Sequence, residues 1–388
     1  MIKFGIDSLL QTVPSWKKER IGFVTNQAAT TRDLIPSRQA LLQRQFNICK
    51  LFSPEHGLDI SGADGALMKD GTDSLTGLPV ISLYSNKLAP AQEDLADIDL
   101  VLFDIPDVGS RFYTYLWTMT HVMEACAFHQ KKLVILDRPN PISGNFELAE
   151  GPMLDTSQAS FIGRWAIPLR HSCTLGELAL YFNDSRNIHC HLEVIRCEGW
   201  ERNSFQPDWG IRFVPTSPAI QSFESMLLYP GLCLLEATNI SEGRGTDYTF
   251  RLAGAPWIKG NAIAGILNDM GLDEVIITPT IFTPLQSKYT GEACGGVQLE
   301  IREPAFFQSV SYGLILIRVI KQMYPQFFKW KPYPSLVNPD GTHHLDKLLG
   351  IAGSEEVFDM PLPKFIAEVT KITQCRSWKE EMEKHLLY

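Results

Sequence analysis

In "LFSPEHGLDISG" (51–62) a glutamate and a histidine stand side by side behind a proline, where an apolar run breaks into glycines. Glu55 has the setting of a general acid. At the edge of a buried strand a carboxyl is partly desolvated, which favours the protonated form that a proton donor needs. The same position would also suit a loop glutamate or a cap. His56 could be a ligand, a base or a hydrogen-bond partner of the carboxylate, and a lone histidine beside a turn glycine more often has a structural role. "DIPDVGSRFYTY" (104–115) combines Asp104, Asp107, Arg111 and Tyr113 ahead of a helix, a set able to contact an anionic or hydroxylated ligand. Asp107 before Val-Gly equally suits a turn. "DRPNP" (137–141) mounts Arg138 and Asn140 between a strand end and rigid prolines. "SEGRGTD" (241–247) flanks Arg244 with glycines, so backbone N–H groups, Arg244 and Thr246 could bind a carboxylate.

The elements that must position these groups are short β-rich runs: 21–25, 48–53, 78–84, 99–105 and 132–137. Each is continuously apolar instead of alternating, as expected for strands buried on both faces. Helix-length segments at 33–46 and 114–128 carry apolar residues at helical spacing. Strand–helix–strand alternation implies an α/β fold with a mostly parallel, doubly wound sheet. Ligands gather outside the carboxyl ends of such strands, and there stand Thr25-Asn26, Glu55-His56, Asp104 with Asp107, and Asp137-Arg138. Adjacent or next-but-one exits lie roughly 5–10 Å apart, the range of paired glycosidase carboxylates. The five-glycine connection 57–77 has no apolar period, and so long a loop is usually functional or mobile. Beyond residue 140 the pattern loosens. Thr174 and Glu177 form a capping box for a helix, 229–250 reads as a strand-like run followed by a polar loop, 295–303 as a strand and 309–324 as a helix. A boundary is expected near residue 227, dividing the chain into 1–227 and 228–388.

Composition narrows the functions. With a net charge of -9 and no Lys/Arg run longer than two residues, a nucleic-acid or anionic-membrane surface is not expected. The eight cysteines form no C-x-x-C pair and no zinc spacing, so free thiols are expected and no metal. The G-x-G-x-x-G, G-x-S-x-G and H-E-x-x-H motifs are absent, which lowers dinucleotide oxidoreductase, serine hydrolase and zincin readings. The opening "MIKFGIDSLL" has no leader pattern, and no apolar stretch reaches membrane-spanning length. A cytoplasmic protein is expected, with export the alternative if a leader was replaced by Met1.

The stretches "GFVTNQAA", "PEHG", "DGTDSLTGLPVISLY", "DVGSRFYTY", "LDRPNP", "EGPMLD", "SFIGRWAIPLRH", "TLGELA", "YPGLCLLEATNISEGRGT" and "GAPWI" occur in this order over roughly 5–330. In them the chain resembles the exo-β-N-acetylmuramidase (NamZ) family. That resemblance implies a Rossmann-like domain, a smaller C-terminal domain and a cleft between them. It implies release of N-acetylmuramic acid from the non-reducing end of peptidoglycan fragments, without a cofactor, by the glutamate of P-E-H-G, here Glu55. The lactyl carboxylate of that sugar needs cationic donors, for which Arg244, Arg138 and Arg111 are candidates, Arg244 first. The second catalytic group could be Asp104, Asp107 or Glu150, or the substrate's own acetamido oxygen oriented by Tyr113 or Asn140. The chain departs from the family in "PEHGLDISG", which lacks the arginine of P-E-H-G-F-R-G, in "SPAIQ" for S-P-N-M-P, in Pro106 for a glutamine and in "EATN" for E-G-T-N. The rival readings are a non-catalytic binder of wall fragments and a metal-dependent hydrolase using His56, Asp104 and Asp107.

Overall fold

The computed structural model describes residues 1–63, 65–334 and 338–388. Seven strands form the main sheet: β1 (Ile21–Thr25), β2 (Ile48–Ser53), β3 (Gly71–Thr72), β4 (Pro79–Ser82), β5 (Leu100–Asp104), β6 (Lys132–Leu136) and β7 (His191–Ile195). Their order is β3-β4-β2-β1-β5-β6-β7, with every pairing parallel except β3 with β4. The order reverses between β1 and β5, so the crevice where such folds receive ligands opens beside the exits of the central strands.

The continuous apolar runs follow from this placement. β1 and β5 are buried at every position, and alternate residues enter two different cores. Phe23, Leu51, Leu100, Leu102 and Val134 fill one face, while Val24, Phe52, Val101, Phe103 and Ile135 fill the other. The second core continues without a break into the C-terminal part, through Leu227, Val297, Leu316 and Phe365. That part carries a smaller antiparallel sheet, ordered β8-β10-β9, of β8 (Leu252–Ala255), β9 (Val275–Phe282) and β10 (Cys294–Ile301). The fold is thus α/β, a large mostly parallel sheet joined to a smaller α+β part. No helix among the described residues is long and apolar enough to cross a membrane.

Several elements differ from the sequence expectation. The segment 33–46 is helical only over Ser37–Gln43, because Leu34 adopts φ 63° and Pro36 precedes the first turn. The run at 229–250, expected to open as a strand, instead ends the helix Phe223–Leu232 and continues as the 3₁₀ turn Cys233–Ala237. The Ser222 hydroxyl accepts the Ser225 N–H at 3.1 Å and starts that helix. Residue 227 lies inside it. A helix buried on most sides is apolar all round and loses its period. The connection 57–77 contains the two-residue strand β3, and β7 joins the sheet as an edge strand of "HLEVI", exposed or half-buried throughout.

Candidate active site

β2 ends at Ser53, and Pro54, Glu55, His56 and Gly57 turn sharply, with the Gly57 N–H donating to the Pro54 carbonyl at 3.1 Å. His56 and Gly57 both take left-handed backbones, φ 65° and 75°. The departure from the family pattern, "LDISG", is closed off by His56. Its Nδ1 stands 2.8 Å from the Gly62 carbonyl, and its own carbonyl accepts the Gly62 N–H at 3.1 Å. A carbonyl oxygen only accepts, so Nδ1 carries the proton. His56 also sets its ring edge-on to Tyr115, 6.5 Å between centroids.

This turn directs Glu55 into a cleft. Two donors fix the carboxylate: the Gly65 N–H on Oε1 at 2.8 Å and the Thr114 hydroxyl on Oε2 at 2.6 Å. Thr114 is the first residue of the helix Thr114–Phe128, which leaves the β5 exit. The carboxylate therefore sits at a helix N-terminus, where the macrodipole favours negative charge. Tyr113 lines the same cleft, with its ring 4.8 Å from Tyr115 and 6.0 Å from Tyr229 between centroids, and burial pushes its hydroxyl pKa up.

The facing wall comes from the C-terminal part: Tyr229, Glu236, Arg244, Tyr333, His344 and Lys347. Arg244 donates to Glu236 at 2.5 Å and to Glu242 at 2.7 Å, and Lys288 pairs with the other oxygen of Glu242 at 2.8 Å. His344 meets Glu236 at 3.3 Å and stacks on Tyr333, 4.7 Å between centroids. Burial alone would push Glu236 up, but the His344 hydrogen bond and the Arg244, His344 and Lys288 charges outweigh it and hold the carboxyl at about 2. Lys347 is half-buried in the wall, and its ammonium makes no hydrogen bond or ion pair among the described residues.

Of the residues singled out in the sequence, Glu55, His56, Tyr113 and Arg244 share this cleft. Thr246 lines an adjoining cavity, where its hydroxyl donates to the Gly243 carbonyl at 2.7 Å. The others are committed elsewhere. Arg138 grips Asp104 with two hydrogen bonds of 2.5 and 2.9 Å and donates to the Thr30 carbonyl. Arg111 is wholly buried and donates to the carbonyls of Pro152, Ile167, Leu348 and Leu349, with burial pushing its pKa down to about 9. It ties the N-terminal part to the helix His344–Leu349, which carries Lys347. Asn140 bonds the Cys173 carbonyl and the Ile142 N–H, and Asn26 accepts the Ala28 N–H, both deep in loops. Asp107 accepts from Gly109 and His171 and faces a separate cavity.

Glu150, a candidate base or nucleophile in the sequence, is not among the described residues that line this cleft. It is inaccessible, and its two oxygens accept the Val310 and Ser311 N–H groups at 3.1 and 3.0 Å, at the start of the helix Ser309–Met323. Burial pushes its pKa up and nearby Arg170 opposes that. The metal site imagined from His56, Asp104 and Asp107 is not assembled. Among the described residues no group of three or more His, Cys, Asp or Glu could hold an ion. The sequence reading missed Thr114, Glu236, His344 and Lys347.

The family profile for the N-terminal domain of exo-β-N-acetylmuramidase NamZ matches residues 21–224, and that for its C-terminal domain matches 227–388. The chain belongs to the exo-β-N-acetylmuramidase NamZ family. As a NamZ-family protein it is a glycoside hydrolase. It is 40% identical over 334 residues to the peptidoglycan β-N-acetylmuramidase NamZ of Bacillus subtilis strain 168, a match covering 85% of this chain and 80% of that one. Two crystal structures of DUF1343 family proteins from Bacteroides fragilis share the NamZ-family fold seen here. One has a TM-score of 0.88 at 30% identity, the other 0.77 at 27%, each covering 100% of this chain and 99% of its own.

Proposed function

We propose that the protein is an exo-acting hydrolase that removes N-acetylmuramic acid from the non-reducing end of peptidoglycan glycan fragments, with Glu55 as acid/base. The observation that carries this reading is the cleft itself. Two buried carboxylates line it: Glu55, held by two donors, and Glu236, kept ionised by its partners. Hydrolysis of a glycoside asks for a group that gives a proton to the leaving oxygen and an anion that stays charged beside an oxocarbenium-like centre. Glu55 takes the first role as the cleft carboxyl that its Gly65 and Thr114 contacts set in one orientation; when it carries the proton, Oε2–H donates to the Thr114 hydroxyl, which can accept as well as donate. Glu236 fills the second, because Arg244, His344 and Lys288 keep it charged.

Tyr84, Phe161 and Tyr229 give the cleft aromatic walls against which a sugar ring can pack. For the lactyl carboxylate, Lys347 now takes precedence over Arg244. The Arg244 guanidinium already serves Glu236 and Glu242, whereas Lys347 brings to the wall a charge with no hydrogen bond or ion pair among the described residues. The test is product analysis on a defined glycan with N-acetylmuramic acid at its non-reducing end. Free N-acetylmuramic acid as first product is expected, and nothing from the same glycan capped by N-acetylglucosamine. Internal fragments as first products would contradict the reading.

A further inference from the structure

A second groove adjoins the cleft and shares Glu236 and Tyr333 with it. Its floor is aromatic. Trp257 and Phe327 lie nearly parallel, 14° and 5.9 Å between centroids, and Trp257 Nε1 donates to the Tyr289 hydroxyl at 3.2 Å. Phe327 is 52% exposed, a large apolar ring left open at a surface. Its rim is basic. Lys329 and Lys331 flank Trp330 in an extended segment that bridges to Thr238, so their side chains leave on one side while Trp330 turns inward onto Phe328 and Phe358. Both lysines are exposed, and neither forms a side-chain hydrogen bond or ion pair among the described residues. Lys288, also in the groove, is spent on Glu242 and the Leu235 and Thr238 carbonyls. In a protein of net charge -9, two uncommitted lysines over an open aromatic floor mark an anion-bearing, flat-faced ligand.

We propose that this groove binds the leaving side of the glycan: sugars beyond the scissile bond stack on Trp257 and Phe327, and the carboxylate of the next muramic residue meets Lys329 and Lys331. The proposal rests on the glycosidase reading above. An alternating glycan carries one carboxylate on every second sugar, so a chain leaving the cleft past Tyr333 delivers both of the chemistries that the groove offers. The enzyme then favours longer chains.

The test compares kcat/KM on a muramic-terminated disaccharide, on the corresponding tetrasaccharide and on a chromogenic N-acetylmuramide, which has no sugar beyond the bond. Wild type is expected to prefer the tetrasaccharide by about tenfold, the effect of one or two good contacts. Trp257→Ala and the double variant Lys329→Ala/Lys331→Ala should each bring that ratio close to one while hydrolysing the chromogenic muramide at the wild-type rate. Raised salt should lower the ratio in wild type and leave it unaltered in the lysine variant. Equal use of both glycans by wild type, or an undiminished ratio in the variants, overturns the proposal. Failure of wild type on the chromogenic substrate would instead overturn the glycosidase reading beneath it.

Discussion

Replacing Glu236 by glutamine removes the ionised member of the facing wall. Burial works against its charge, yet the His344 hydrogen bond and the Arg244, His344 and Lys288 charges hold it at about 2, against 4.5 for an ordinary glutamate. That difference corresponds to about 3 kcal/mol of stabilisation for the folded, ionised state. The folded pKa is the lower of the two, so this stability is present above the unfolded value and is lost as pH falls through the folded one. About 2 kcal/mol of it disappears between pH 7 and pH 3. Arg244 and Lys288 keep their charges over that range, and Glu242, the other carboxylate on Arg244, is untouched by the substitution. Urea unfolding of wild type and Glu236→Gln, followed by tryptophan fluorescence, should therefore show a gap of about 3 kcal/mol at pH 7 that narrows to about 1 kcal/mol at pH 3. A gap below about 1 kcal/mol at neutrality, or one that does not narrow in acid, would refute the electrostatic account of the wall.

Thr114→Val keeps the side-chain shape and deletes the hydroxyl that donates to Glu55 at 2.6 Å. The bond sets the orientation of Glu55, so kcat on a chromogenic muramide should fall by about tenfold or more with KM little changed. Glu150→Gln should lower stability by about 3 kcal/mol, because it weakens a buried ion pair and a helix start, while the folded enzyme keeps its kcat. A collapse of kcat at unaltered melting temperature would return Glu150 to catalysis. Lys347→Met should erase the preference for muramides over glucosaminides, and an unchanged preference would send the carboxylate back to Arg244.

What could be read from the sequence follows from what each feature depends on. β1, β2, β5 and β6 were legible because strands buried on both faces leave unbroken apolar runs. Glu55 was legible as a lone acid at such a run's end. Asp104 and Arg138 were visible as strand-exit groups, but their partnership depends on β5 lying beside β6, a neighbourhood that no local pattern encodes. Glu236 was hidden because its helix end and 3₁₀ turn are buried enough to mimic a strand. The signal available was the acid itself, a carboxylate within the apolar "LCLLEAT". Lys347 and His344 ride on the six-residue helix His344–Leu349, too short to show a period. The long-range bonds of Arg111 to the Leu348 and Leu349 carbonyls, with that of His344 to Glu236, hold that helix at the cleft.

The central claim is that Glu55 carries the proton transfer. Its most direct measurement is turnover of a chromogenic N-acetylmuramide by wild type and Glu55→Gln at equal folded concentration. The substitution preserves shape, leaving an oxygen for the Gly65 N–H and an amide that can donate to the Thr114 hydroxyl, but removes the titratable proton. The account predicts release of N-acetylmuramic acid by wild type and loss of at least about a hundredfold in kcat in Glu55→Gln. Wild-type turnover by the variant would contradict it.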